Sequence, residues 1–166
     1  MIILIVGGFG VGKDTFANLM LKHLPESVKI KSFTTRQPRF EGEDTHIFAT
    51  TNDIPKNPLA RIDIEGVSYW TVHGQFDKTK NNIYVIDDCG LQQVIESKFD
   101  NYIIIEVIRP DSLIDVDKER LNRKKDCHFN YTPLVDMSVM NDCTLEELDK
   151  KAKTLSNIIY LTNSLF

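Results

Sequence analysis

The opening fifteen residues, MIILIVGGFGVGKDT, leave little freedom in how this chain starts to fold. Met1 to Val6 is an almost wholly apolar run rich in β-branched residues. That is the pattern of a strand buried on both faces, and such strands belong to parallel sheets covered by helices. From Lys13 onward Phe16, Leu19, Met20 and Leu24 recur at helical spacing. Gly7, Gly8, Gly10 and Gly12 therefore occupy a strand-to-helix turn. In such a turn successive backbone N–H groups can converge on an anion without Cβ clashes, and the helix N-terminus adds partial positive charge. The spacing Gly7-xxxx-Gly12-Lys13 matches a phosphate-binding loop up to its last position, where Asp14 stands in place of Ser or Thr and Thr15 follows. Lys13 supplies a mobile point charge that can follow a phosphate during transfer.

Downstream, the pattern predicts a strand over Val28–Phe33, short strands over Ala60–Glu65 and Val67–Val72 about Gly66, and a strand over Ile83–Ile86 ending in Asp87 and Asp88. A helix is expected over Leu91–Phe99, a buried strand over Tyr102–Ile108, and a charged helix over Asp111–Lys125. Alternation of this kind specifies an α/β fold with a central parallel sheet. Leu134–Met140 has strand character. Thr144 begins a last helix, with Glu147 as its capping-box partner. The tail NIIYLTN is compatible with a final strand or a strand-like cover.

The chain's 166 residues suit one domain. A formal net charge of -4 argues against a general nucleic-acid or membrane-surface binder, so any anion site is local. Cys89, Cys127 and Cys143 are odd in number and contain no CxxC, which indicates neither a disulfide framework nor a zinc site and fits a reduced, cytoplasmic setting. The apolar start lacks the basic leading segment of a signal peptide, and no apolar stretch reaches spanning length. His46, His73 and His128 have no partner pattern.

A second constellation, SFTTRQPRFEGEDTHIF, places Arg36 and Arg39 beside Ser32, Thr34 and Thr35 after a strand. Two arginines across a proline-stiffened turn can clamp a phosphate bidentately, and a plainly solvated basic loop is the alternative. With the glycine turn before it, the chain resembles the guanylate kinase family of nucleoside monophosphate kinases. The likeness rests on Thr34-Thr35-Arg36-Gln37-Pro38-Arg39 with Gly42-Glu43, on His46-Ile47-Phe48 with His46 where the family has tyrosine, on Tyr69 and Thr71, on Asp87, and on Val139-Met140-Asn141-Asp142 before a helix.

The resemblance implies a three-layer P-loop kinase with a core of residues 1–31 and 81–166, a small antiparallel monophosphate-binding insertion over about 32–80, and a short lid over about 118–131. It further implies ATP and Mg²⁺, with ATP on Gly8, Gly10, Val11, Gly12, Lys13, Asp14 and Thr15, Asn141 by the adenine, and Mg²⁺ on Thr15 with Asp87 through water. The acceptor monophosphate is expected on Ser32, Arg36, Arg39, His46, Tyr69, Thr71 and Asp87, as a monomer or homodimer. GMP or dGMP is the implied acceptor, but Ala60 stands where the family's guanine-reading glutamate falls, leaving Asp63 and Glu65 as candidate replacements. No arginine follows Arg123, so the lid cation must come from Arg109, Arg120, Arg123 or Lys124, with Arg120 and Arg123 one helical turn apart preferred. The Gly-Lys-Asp-Thr variant and compact length also resemble bacteriophage deoxynucleotide kinases. Two other classes share these features, a non-catalytic interaction module and a P-loop ATPase; intact Lys13 and Thr15 weigh against the first, and the lack of a water-activating residue against the second.

Overall fold

The structure, a computed structural model, describes residues 1–114 and 129–163. Its centre is a five-stranded, wholly parallel sheet in the order β2-β7-β1-β8-β9. These strands are β1 (Ile2–Val6), β2 (Ser27–Ile30), β7 (Asn81–Val85), β8 (Tyr102–Ile108) and β9 (Met137–Met140). Every residue of β1 is buried, as its unbroken apolar run requires of a strand flanked on both sides by others.

Alternate residues of β1 feed two cores. Ile3 and Ile5 point to one face, where Phe16, Ala17 and Met20 of α1 (Lys13–His23) meet Leu148, Ala152 and Ile159 of α3 (Leu145–Asn163). Ile2, Leu4 and Val6 point to the other, against Leu91 and Val94 of α2 (Asp88–Glu96) and against Leu59 and Ala60. Ala60 belongs to a second, four-stranded sheet in the order β4-β3-β6-β5, made of β3 (Phe33–Thr34), β4 (Ile47–Phe48), β5 (Ala60–Ile64) and β6 (Val67–Thr71). This sheet is not wholly antiparallel. β3 and β4 run parallel, which the intervening segment 35–46 is long enough to allow.

Several boundaries differ from the sequence reading for visible reasons. The expected strand Val28–Phe33 is two strands in different sheets, with the break at Lys31 and Ser32. α2 starts three residues early, because the Asp87 carboxylate accepts from Gly90 N at 2.7 Å and caps it, and it stops before Lys98, whose φ is 55°. Pro133 sits in a 3₁₀ turn, Thr132–Leu134, that delays β9 to Met137. The segment NIIYLTN is neither strand nor cover but the end of α3, where Ile159 continues the buried stripe of Leu148 and Ala152. Thr144 and Glu147 do form the capping box, with Oε2 of Glu147 2.9 Å from both Thr144 N and Oγ1. Asp111–Leu113 is a 3₁₀ turn and not the start of a long helix; the rest of that expected helix, most of the lid, and Arg120, Arg123, Lys124, Cys127 and His128 lie outside the described residues. No helix among the described residues is long and apolar enough to cross a membrane.

Candidate functional site

The carboxyl ends of parallel strands are where an open α/β sheet leaves a crevice. Here β1 ends in the glycine loop, β7 in Asp87, and β9 in Asn141. Two cavities lie along that edge. One, of about 130 Å³, is lined by Gly7, Gly8, Phe9 and Lys13 of the loop and helix start and by Asp87, Asp88 and Tyr131. The second, of about 220 Å³, runs from Phe9 and Asp87 towards the second sheet. Phe9 and Asp87 wall both, so the cavities adjoin.

The loop is held open by backbone geometry that only glycine takes easily. Gly7 has φ of 140° and Gly12 φ of 96°. Asn141, 4% exposed, donates from Nδ2 to Val11 O at 2.7 Å, and a Cβ on Gly12 would fall 2.5 Å from that same nitrogen. Asn141 therefore lies under the loop as its anchor. Val11 itself is a core residue. Lys13 folds back, its Nζ donating to Gly7 O at 3.0 Å and Gly8 O at 2.7 Å. Gly8, Gly10 and Thr15 are exposed along the loop and the first turn of α1. Asp14, the departure from the usual loop, turns aside to accept from Lys29 Nζ at 2.9 Å.

Around the second cavity the polar stretch after β3 has one organiser, Glu43. Its carboxylate is almost wholly buried and accepts from Arg36 NH2 at 2.7 Å, Arg36 NH1 at 3.1 Å, Arg39 N at 2.6 Å and Thr45 Oγ1 at 2.8 Å. The Arg36 guanidinium and the Arg39 amide hold the Glu43 carboxyl well below the usual range, and Glu43 in turn raises Arg36. A carboxyl with a depressed folded pKa contributes stability that is complete above the ordinary glutamate pKa and is lost as pH falls through the folded value. Thermal melts of the native chain should thus decline below about pH 4.5, and Glu43→Gln should flatten that decline.

Arg36 also stacks over Phe48, 5.4 Å from its centroid, and its Nε is a buried donor with no hydrogen-bond partner. The expected pair of arginines is thus divided: Arg36 sits on Glu43, while exposed Arg39 lines the cavity with His46 and Tyr69. His46 meets Tyr69 edge-on at 5.6 Å, and burial with the nearby Arg36 charge lowers its pKa, so it is neutral near pH 7. Deeper in, Tyr84 OH lies 3.4 Å from Ser32 Oγ and 3.2 Å from Thr71 Oγ1, a hydroxyl trio beneath the cavity in which Thr71 is fully buried. Asp63 is engaged elsewhere: it accepts from Arg61 at 3.0 Å and from Ser68 Oγ, and neither Asp63 nor Glu65 lines the cavity.

Sequence reasoning missed Phe9, Tyr84, Asp88 and Tyr131. Phe9 and Asp88 adjoin assigned residues, and their position in the loop and after β7 was a usable signal. Tyr131 had none; its hydroxyl donates to Glu106 at 3.2 Å, and burial with that carboxylate pushes its pKa up to about 12. Arg109, one lid candidate, donates from Nε to Leu113 O at 2.8 Å.

No protein-family model matches the chain, and no curated protein matches it in sequence. Solved structures do match. A guanylate kinase from Anaplasma phagocytophilum superposes with a TM-score of 0.66 at 17% identity, over 96% of this chain and 86% of that one. A sugar kinase from a Janibacter species matches with a TM-score of 0.43 at 11% identity, over 96% of both chains, too loosely to bear on fold or function. The first likeness establishes a guanylate-kinase-like architecture.

Proposed function

We propose that this protein is an ATP-dependent nucleoside monophosphate kinase, transferring the γ-phosphoryl group of ATP to the phosphate of an acceptor nucleotide. The observation that carries this reading is the pair of adjoining cavities, one floored by the glycine loop and Lys13, the other lined by Arg39, His46 and Tyr69, with Phe9 and Asp87 between them. Two anionic substrates bound there would meet end to end.

The chain's own groups fit a triphosphate. Loop amides from Gly8 to Thr15 and the N-terminus of α1 offer donors and positive potential. Lys13 Nζ, which donates to two loop carbonyls, can exchange them for phosphate oxygens. Asp87 and Asp88 line the smaller cavity together with Lys13, and these clustered hard oxygen donors suit Mg²⁺. When bound, Mg²⁺ supplies charge neutralisation on the phosphates. Glu43 sets Arg36 and the backbone of Arg39 in place, and Arg39 would hold the acceptor phosphate. The reaction breaks the bond from the γ-phosphorus to its bridging oxygen and forms one to an acceptor phosphate oxygen. That oxygen is already ionised near neutral pH, so no general base is needed.

The test is a coupled ADP-release assay with ATP, Mg²⁺ and a panel of ribo- and deoxynucleoside monophosphates. Arg39→Ala should raise the acceptor KM about tenfold or more while the ATP KM stays within about twofold, the mark of a lost charge-assisted contact. Equal effects on both would count against the assignment of the second cavity to the acceptor.

A further inference from the structure

The second cavity has a chemical bias that narrows the acceptor. Its β5 wall is Ala60, Ile62 and Ile64, with Tyr69 and Trp70 of β6 beside them. Among the described residues its one lining carboxylate is Asp87, at the opposite end by the phosphate loop, where Oδ1 already accepts from Gly90 N. Arg39 and Arg61 also line it, the Arg61 guanidinium already donating to Asp63, while the hydroxyls of Ser32, Tyr69 and Tyr84 and the imidazole of His46 can act either way. Among the described residues no lining side chain away from Asp87 is purely an acceptor, and one wall is apolar.

The nucleobases differ in what they ask of such a pocket. Guanine brings three N–H donors on N1 and N2, and beside an apolar wall those without an acceptor each cost a desolvated donor. Adenine brings two N–H donors and no carbonyl; cytosine brings two N–H donors and one carbonyl. Thymine brings two carbonyl acceptors, a single N–H donor, and a 5-methyl group. Its one N–H needs one hydroxyl oxygen, its two carbonyls can take the protons of groups that act either way, and its methyl is the group an isoleucine wall holds. The methyl separates it from uracil.

Resting on the kinase reading above, we propose that the acceptor is a thymine-class nucleotide, a 4-oxo-5-methylpyrimidine monophosphate, with Ala60, Ile62 and Ile64 as the residues that set this choice. Ala60 pairs with Thr71 across the β5–β6 ladder, so the apolar wall and the hydroxyl trio are joined at that rung.

The experiment measures kcat/KM of the 166-residue chain for dTMP, dUMP, dCMP, dGMP and dAMP with saturating ATP and Mg²⁺, alongside calorimetric binding of each monophosphate. dTMP should exceed dUMP by about tenfold or more, the discrimination one methyl gives in an apolar pocket, and should exceed dGMP by about a hundredfold. Ile62→Ala should bring the dTMP to dUMP ratio close to one. Ala60→Glu, by supplying an acceptor, should shift the dGMP to dTMP ratio by about tenfold or more towards dGMP. If dGMP equals or exceeds dTMP in the native chain, or if Ile62→Ala leaves the methyl preference unchanged, the thymine assignment falls and the kinase reading stands. If no monophosphate is bound or phosphorylated, the kinase reading itself falls. The ratios of the unmodified chain decide the matter even where a β5 variant does not fold.

Discussion

Lys13→Ala is expected to lower the rate of phosphoryl transfer by about a thousandfold or more, with the fold intact. Both halves of that expectation come from where the side chain sits. Its bonds to the carbonyls of Gly7 and Gly8 lie at the rim of a cavity, and Gly8 is exposed, so water replaces these at little cost. The helix it begins is held by Phe16, Ala17, Leu19 and Met20, none of which the substitution touches. A thermal midpoint close to the native value with activity reduced as stated would place Lys13 on the transferred phosphate. A variant retaining more than about a tenth of native activity would remove the glycine loop from the reaction.

Gly7→Ala should be the most destabilising single-methyl change in the loop. The residue has φ of 140°, and an added Cβ would lie 2.3 Å from the carbonyl oxygen of Val107, within a strand paired on both sides, and 3.1 Å from Val11 Cγ2. Neither neighbour is the free end of a flexible side chain. Backbone strain of about 1–3 kcal/mol and the displacement of a buried strand together cost about 3 kcal/mol or more. For a chain of this size that lowers the melting midpoint by roughly 6–12 °C. Gly66→Ala is the control: its φ of 79° is also positive, but nothing lies within 4 Å of the added carbon, so only the torsional part applies. Equal shifts for the two variants would show that packing of the loop on β8 contributes nothing.

The parts legible in the sequence were those in which one short segment carries its own instruction. The apolar run and glycine spacing defined β1, the loop and α1, and Thr144 with Glu147 defined the start of α3. What escaped depends on neighbours far along the chain. NIIYLTN has the β-branched composition of a strand, yet burial of Ile159 beside Leu148 and Ala152 makes it helical, a case of packing overriding propensity. Val28–Phe33 has strand propensity throughout, and nothing local marks that its two halves join different sheets. In the site, SFTTRQPRFEGE marked Arg36, Arg39 and Glu43, which the structure brings together, but not their division of labour. That Glu43 takes Arg36 while Arg39 reaches the cavity is decided by burial of a carboxylate, which spacing does not encode. Asp63 and Glu65 fell away as base-reading candidates for a similar reason, because Arg61 and Ser68 already engage Asp63 and neither carboxylate lines the cavity.

The bond from Asn141 to Val11 spans 130 residues, and it bears on the order in which this protein comes into being. The glycine loop leaves the ribosome well ahead of β8, the strand flanking β1 on one side, which follows only after about a hundred residues, and the amide that pins the loop comes later still. A growing chain thus carries the loop's sequence well before it has the loop's shape. Folding of the loop waits on residues made 130 positions later, which gives the sheet the slow, long-range closure expected of parallel strands.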